Sequence, residues 1–505
     1  LVVEASWAAL DALCKIIPKD DYDGYVGPIS RAVLHATELL PKEQKTLPGF
    51  NLPKGVGPLL PIYSQGLLTG SSDTKERAVR GMARLVRFTE PTALRLFATG
   101  ITGPLIRIVG DRHPPNVKAA ILSTLGLLLT QVPALMRPFL PQLQRTFVRG
   151  LSEADDTVRR RAAAALAALI PLQPRLDPLV AELTTGIKQT EEQGMKNAMM
   201  KAVVAVVCAP NAQSLSAASI QAIELATTTQ SNSTDPRWQQ LRSQAFGALC
   251  GVVPDTAAMQ LVSQHAMTGP SDPAPVQASK LHCLAAVLSE SPTLFAQSTD
   301  LQSQTTQSVN TALTPNPDNV HQALVSLPAT HVAKNALLSS EITPPGSPNI
   351  PVLIDALVRV VDPSTMASFD SDTQHAALVG LKAVAKHRFD VLEPMRDAVV
   401  MAVMAHVRDR NITVKLAAER CALYALRLAR VPSTEFDGDN NGLDAYVQNM
   451  GGPASDKGKQ VLDYHRRVLS KLADATRELD YASDDEDDPN SAGSRADGAN
   501  SDDEA

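Results

Sequence analysis

Aromatic residues make up 4% of the 505 residues, although 44% are apolar. With so few rings one thick core is not expected, and the interior must consist of thin aliphatic layers. Cysteine is also scarce. Cys14, Cys208, Cys250, Cys283 and Cys421 are scattered, odd in number and without a CxxC pair. That pattern excludes a disulfide framework and reads as reduced, buried thiols of an intracellular protein. No uninterrupted apolar run approaches the roughly 18 residues a membrane span requires, and no signal peptide or β-type alternation is present. The chain opens on Leu1 in mid-helix, so a fragment of a longer protein is expected. Catalytic signatures are missing too: there is no HExxH and no GxSxG. In GGPASDKGKQ, Pro453 stands where a P-loop needs Gly, and Gln460 where it needs Ser or Thr. The ten histidines are dispersed, and His282-Cys283, the one adjacent pair of ligand types, falls short of a zinc set. A non-enzyme without metal or cofactor is expected.

What is present is a repeat. In residues 101–170 an apolar helix ends at a turn carrying Asp or Asn, and a second helix opens on a β-branched residue followed by a base. Val117-Lys118 superimposes on Val158-Arg159, with Leu125 falling on Leu166. The template also fits Arg77 with Leu85, Leu241-Arg242 with Leu249, Val276 with Leu284, Thr373 with Leu381 and Val414-Lys415 with Ala422. The steps from Arg77 to Val117, Val117 to Val158 and Thr373 to Val414 are 40, 41 and 41 residues. Two helices per period of this length identify an all-α, HEAT/armadillo-like solenoid. Runs such as Ala162-Ala163-Ala164-Ala165 allow neighbouring repeats to approach closely.

Residues 1–430 are therefore expected to form a continuous right-handed stack of about nine or ten helix pairs. The Pro- and Gly-rich stretch 46–58 should be an ordered loop docked through Phe50, Leu52 and Leu60. Residues 298–350 lose the apolar period and read as irregular turns. A linker over 431–456, a C-terminal helix over 457–480 and a disordered acidic tail over 481–505 complete the chain.

The net charge of −6 conceals an asymmetry. From Asp73 to Arg161 there are fifteen bases, thirteen of them Arg, against seven acids. From Tyr481 onward there are nine acids and one base, Arg495. Arginine forms forked pairs with carboxylate or phosphate, so this basic band reads either as a docking surface for an acidic partner or as solvated helix faces paired at i,i+4 with their own acids. Arg107 lies in an otherwise apolar stretch and must reach an acid, a helix end or a partner. Phe139, between Pro138 and Pro141, reads as a core anchor. In the tail, Ser483 and Ser501 each precede three acids, a pattern for an acid-directed kinase, and are phosphorylation candidates.

The phrases LPGFNLPKGVGPLLPIYSQGLLTG (47–70), ITGPLIRIVGDR (101–112), RPFLPQLQRTFVRGL (137–151) and RLDPLVAELTTGIKQ (175–189) are long and carry Pro and Gly at fixed places. In them the chain resembles the C-terminal part of the general control nonderepressible translational activators. These are very large HEAT-repeat, ribosome-associated proteins that activate the kinase for the alpha subunit of initiation factor two. The resemblance implies that about 1–210 binds the RWD domain of that stress kinase, and of competing RWD proteins, during amino-acid starvation. It places ribosome contact mainly upstream and the protein in the cytoplasm. Arg107 and Phe139 sit in the phrases tied to the kinase contact. Arg112, Arg145 and Arg149 share those phrases and complete the set of candidate partner-binding residues. A second reading, direct binding of ribosomal RNA through the basic band, is secondary because the band has few aromatic platforms and few lysines.

Overall fold

The helices of this computed structural model begin at turns whose side chains are suited to starting them. Asp155 accepts from the Val158 backbone N–H (3.0 Å), Asp370 from that of Thr373 (3.1 Å) and Ser71 from that of Thr74 (3.2 Å). Each cap satisfies a first-turn N–H that has no intrahelical partner. Elsewhere a proline opens the helix, where its missing N–H costs nothing, as at Pro115, Pro236 and Pro275. The structure describes residues 2–428 except 42–44, 53, 111–112, 230–234, 270, 317–320 and 408, together with Lys459. The linker, C-terminal helix and acidic tail, with Ser483 and Ser501, lie outside the described residues.

The chain divides into two units, Leu1–Val253 and Pro254–Ala505. In the first, the helices are α1 (Val2–Ile16), α2 (Tyr22–Glu38), α3 (Leu60–Thr69), α4 (Ser72–Arg87), the short α5 (Pro91–Leu94) and α6 (Ala98–Ile108). There follow α7 (Pro115–Gln131), the short α8 (Pro133–Met136), α9 (Leu140–Gly150), α10 (Asp156–Leu169), α11 (Asp177–Gln189), α12 (Gln193–Val207), α13 (Ala217–Thr228) and α14 (Pro236–Cys250). They form two layers. The second helices α4, α7, α10, α12 and α14 pack side by side, and α3, α6, α9, α11 and α13 cover one face of that row. The second unit repeats the arrangement. In it α16 (Ala274–Glu290), α19 (Gln322–Leu338), α21 (Ser371–His387) and α24 (Ile412–Leu428) form the row. They are partnered by α15 (Asp255–His265), α17 (Thr293–Ala296), α18 (Thr299–Ala312), α20 (Asn349–Val361), α22 (Phe389–Leu392) and α23 (Arg396–Ala405). The fold is an all-α solenoid of stacked helix pairs, and no strand occurs among the described residues. No single helix among them is long and apolar enough to cross a membrane.

Most of the repeat anchors are core residues, although Leu241 and Val276 are half-buried. Val117, Leu125, Leu166, Leu249, Leu284, Thr373, Leu381 and Val414 are fully buried. Arg77 departs from the template: it is exposed, and Ala78 and Val79 turn inward in its place. Cys208 also departs, lying exposed at the end of α12, whereas the other four thiols are buried. Burial pushes the Cys421 thiol up to about 12.

The loop at 46–58 docks through Phe50 as expected, but its other anchors differ. Leu47, Phe50, Val56 and Leu59 are buried, while Leu52 and Leu60 are half-exposed. The expectation of irregular turns across 298–350 is overturned, because α18 and α19 are full helices there. Their apolar period is masked by threonine and serine that are nonetheless buried. The Thr305 hydroxyl donates to the Leu301 carbonyl (2.7 Å) and the Thr330 hydroxyl to that of Leu327 (2.6 Å), so each polar group is satisfied within its own helix.

Candidate partner-docking site

The base that follows the β-branched residue is consumed internally in α7 and α10. The Lys118 ammonium donates to both oxygens of Glu153 (2.9 and 3.0 Å), across the boundary to the next repeat. Arg159 donates through Nη1 to the carbonyls of Glu153 and Ala154 (both 2.8 Å) and to the Glu192 carboxylate (2.9 Å). Arg160 and Arg80 pair one turn back, with Asp156 (3.0 Å) and Glu76 (2.7 Å). Much of the basic band is therefore neutralised where it stands.

Arg107 is not. It occupies the last turn of α6, where a cation complements the helix dipole, and it is exposed and forms no salt bridge among the described residues. The apolar residues beside it, Ile106 and Ile108, are partly covered. The ends of α6 and α9, with the starts of α7 and α10, enclose a cleft of about 220 Å³. Arg107 and Arg149 both line it, with the Lys118–Glu153 pair, Thr146 and the buried Val158. His113, at the entry to α7, is held below its ordinary 6.5 by burial first and then by the cations Lys75 and Lys118.

The other sequence candidates divide. Arg145 is exposed one turn before Arg149 on α9 and does not line the cleft. Arg112 lies outside the described residues. Phe139 is half-buried in the 3-10 turn Arg137–Phe139 that precedes α9, about 15 Å along that helix from Arg149 at 1.5 Å per residue. It is not the core anchor expected. The two flanking prolines fix the turn, and Phe147, fully buried, fills the core instead.

A second group of cations, absent from the sequence candidates, lies farther along α7. Arg84 and Arg87 on α4 and Arg161 on α10 line one groove with Leu127, Ala164 and Ala168. The missed signal was the neighbours of these arginines: neither Arg84 nor Arg161 has an acid three or four positions away on its helix.

Residues 283–434 match the family described as GCN1-like, C-terminal HEAT repeats, and residues 1–54 match the stalled ribosome sensor GCN1-like HEAT repeats. The chain is 30% identical over 495 residues to the eIF-2-alpha kinase activator GCN1 of Saccharomyces cerevisiae, covering 94% of this chain and 18% of that protein. It is 31% identical over 435 residues to the protein ILITYHIA of Arabidopsis thaliana, covering 85% of this chain and 16% of that protein. Identity to the human stalled ribosome sensor GCN1 is 41% over 210 residues, covering 41% of this chain and 8% of that protein. The chain thus spans less than a fifth of the length of these relatives. Among solved structures, Kap121p bound to Nup53p superimposes with a TM-score of 0.51 at 13% identity, over 94% of this chain and 46% of that one. Importin beta gives 0.51 at 12% identity, over 83% and 53%. At such identities the likeness concerns the fold alone. With GCN1-like repeats matched at both ends of the chain, and 30% identity running across 94% of it, the chain belongs to the GCN1-like family of HEAT-repeat proteins.

Proposed function

We propose that this segment is a non-catalytic, cytoplasmic scaffold that docks the RWD domain of the kinase for the alpha subunit of initiation factor two. By docking it, the segment promotes activation of the kinase on ribosomes during amino-acid starvation. Competing RWD proteins would use the same surface, and ribosome contact is left mainly to parts of the longer relatives outside the matched segment. The names of the yeast and human relatives, a kinase activator and a stalled ribosome sensor, support the setting. The observation that carries the reading is the exposed Arg107, without a salt bridge among the described residues, placed beside Arg149 on one cleft while Lys118 is already held by Glu153. Such a cation at a helix end is suited to a carboxylate of the partner. Arg107→Ala should weaken binding to an isolated RWD domain by about 1–3 kcal/mol, the range for truncating a charged anchor, with the melting temperature unchanged. Calorimetric titration of both chains measures it. Normal affinity with earlier melting would make Arg107 a structural residue. Tight, steeply salt-dependent binding of naked ribosomal RNA without RWD binding would favour the RNA reading instead.

A further inference from the structure

The groove across α4, α7 and α10 has a volume of about 760 Å³ and shares only the buried Leu122 with the lining of the Arg107 cleft. Arg84 and Arg87 stand one turn apart on one wall, and Arg161 stands on the other. No Asp or Glu lines the groove, and none of the three arginines forms a salt bridge among the described residues. This contrasts with Arg80, Arg159 and Arg160, which are paired on the same helices. Arg87 lies 5.9 Å from the centroid of the Phe88 ring, a cation–π contact that restrains its guanidinium without neutralising it. Between the arginines the lining joins the apolar Leu127, Ala164 and Ala168 to the polar Ser123, Thr130 and Gln131. Gly126 lets α7 approach α10 so closely that an added Cβ would sit 3.2 Å from the Ala165 Cα. Leu127, Ala164 and Ala168 remain partly exposed beside it.

We propose that this groove binds an extended acidic segment of a partner protein, at a site separate from the RWD-docking cleft. Charge fixes the ends of the ligand, because carboxylates are needed at both walls. The floor fixes its middle, where only small aliphatic side chains fit over the alanines. Two interhelical spacings of about 8–10 Å separate α4 from α10. An extended chain at about 3.3 Å per residue crosses that span with five or six residues. Single-stranded nucleic acid fits less well, since it needs stacking platforms and Phe88 is the one ring on the lining.

The test uses the full chain and a fluorescein-labelled peptide, Asp-Glu-Ala-Leu-Ala-Asp-Glu, followed by fluorescence anisotropy at low salt. The isosteric Asn/Gln peptide should bind at least about tenfold more weakly, as should the acidic peptide to the Arg84→Ala/Arg87→Ala/Arg161→Ala variant. Ala164→Trp, which fills the floor at an exposed position and leaves every arginine in place, should cause the same loss. It decides the matter if the triple variant melts early. Arg107→Ala should leave peptide binding unchanged, which separates this site from the RWD contact. Equal binding of acidic and amide peptides, or unchanged binding in the Ala164→Trp variant, overturns the proposal. So does tighter binding of a labelled oligouridine that the arginine substitutions abolish.

Discussion

Arg159 is only 6% exposed, and its value to the fold lies mainly in two backbone carbonyls, since its carboxylate partner Glu192 is half in solvent. An exposed ion pair contributes little, but the carbonyls of Glu153 and Ala154 close the turn between α9 and α10. Removing the guanidinium would leave them without this donor. Arg159→Ala should therefore cost about 2–4 kcal/mol in urea unfolding. Arg160→Ala, on the same turn but paired with a largely exposed Asp156, should cost under about 1 kcal/mol. Equal losses would show that charge, not turn closure, is what the repeat requires. The base after the β-branched residue is visible in the sequence as a pattern, whereas its role as a turn tie becomes visible once the carbonyls are in place.

Two glycines on neighbouring first helices separate propensity from packing. Gly150 ends α9, and a Cβ there would lie 2.8 Å from the Ala162 Cβ of α10. Overpacking costs about 1–3 kcal/mol, more than the roughly 1 kcal/mol of helix propensity gained. Gly100, inside α6, has nothing within 4 Å of its would-be Cβ. Gly150→Ala should lower the unfolding midpoint and Gly100→Ala should raise it, the latter by about 0.5–1 kcal/mol. Opposite signs in one unit would show that the contact, not the backbone, decides. A comparable division explains the error over 298–350. Helix type depends on hydrogen bonds within a few residues, and buried threonines that bond to their own preceding turn satisfy them while disguising the apolar stripe.

In the second unit the row of second helices gathers His331 and Lys334 on α19, Lys382, Lys386, His387 and His375 on α21, and Arg420 on α24. Burial and the nearby Lys334 pull the His331 imidazole from its ordinary 6.5 down to about 4. The folded pKa lies below the unfolded one, so between about 4 and 6.5 the unfolded chain binds more protons. Stability is therefore retained above pH 6.5 and declines as pH falls toward 4. Urea midpoints of the parent should drop between pH 7.5 and 5, and those of His331→Gln should drop less; parallel declines would assign the acid sensitivity elsewhere. Such a cluster is not legible from spacing, because its members come from three helices about 40–90 residues apart.

The helix pairs, the period near 40 residues and the turns that carry Asp or Asn are legible in the residues alone. All of these arise from interactions within a few residues or from one unit repeated. The basic character of residues 73–161 is legible there too. Which of those charges remain depends on the stacking of the repeats. Lys118 meets Glu153 and Arg159 meets Glu192 across repeat boundaries, while Arg84, Arg87, Arg107 and Arg161 form no salt bridge among the described residues. The physical reason is distance. Coulomb pairing is set by a few ångströms between side chains, and those ångströms are fixed by how one repeat stacks on the next.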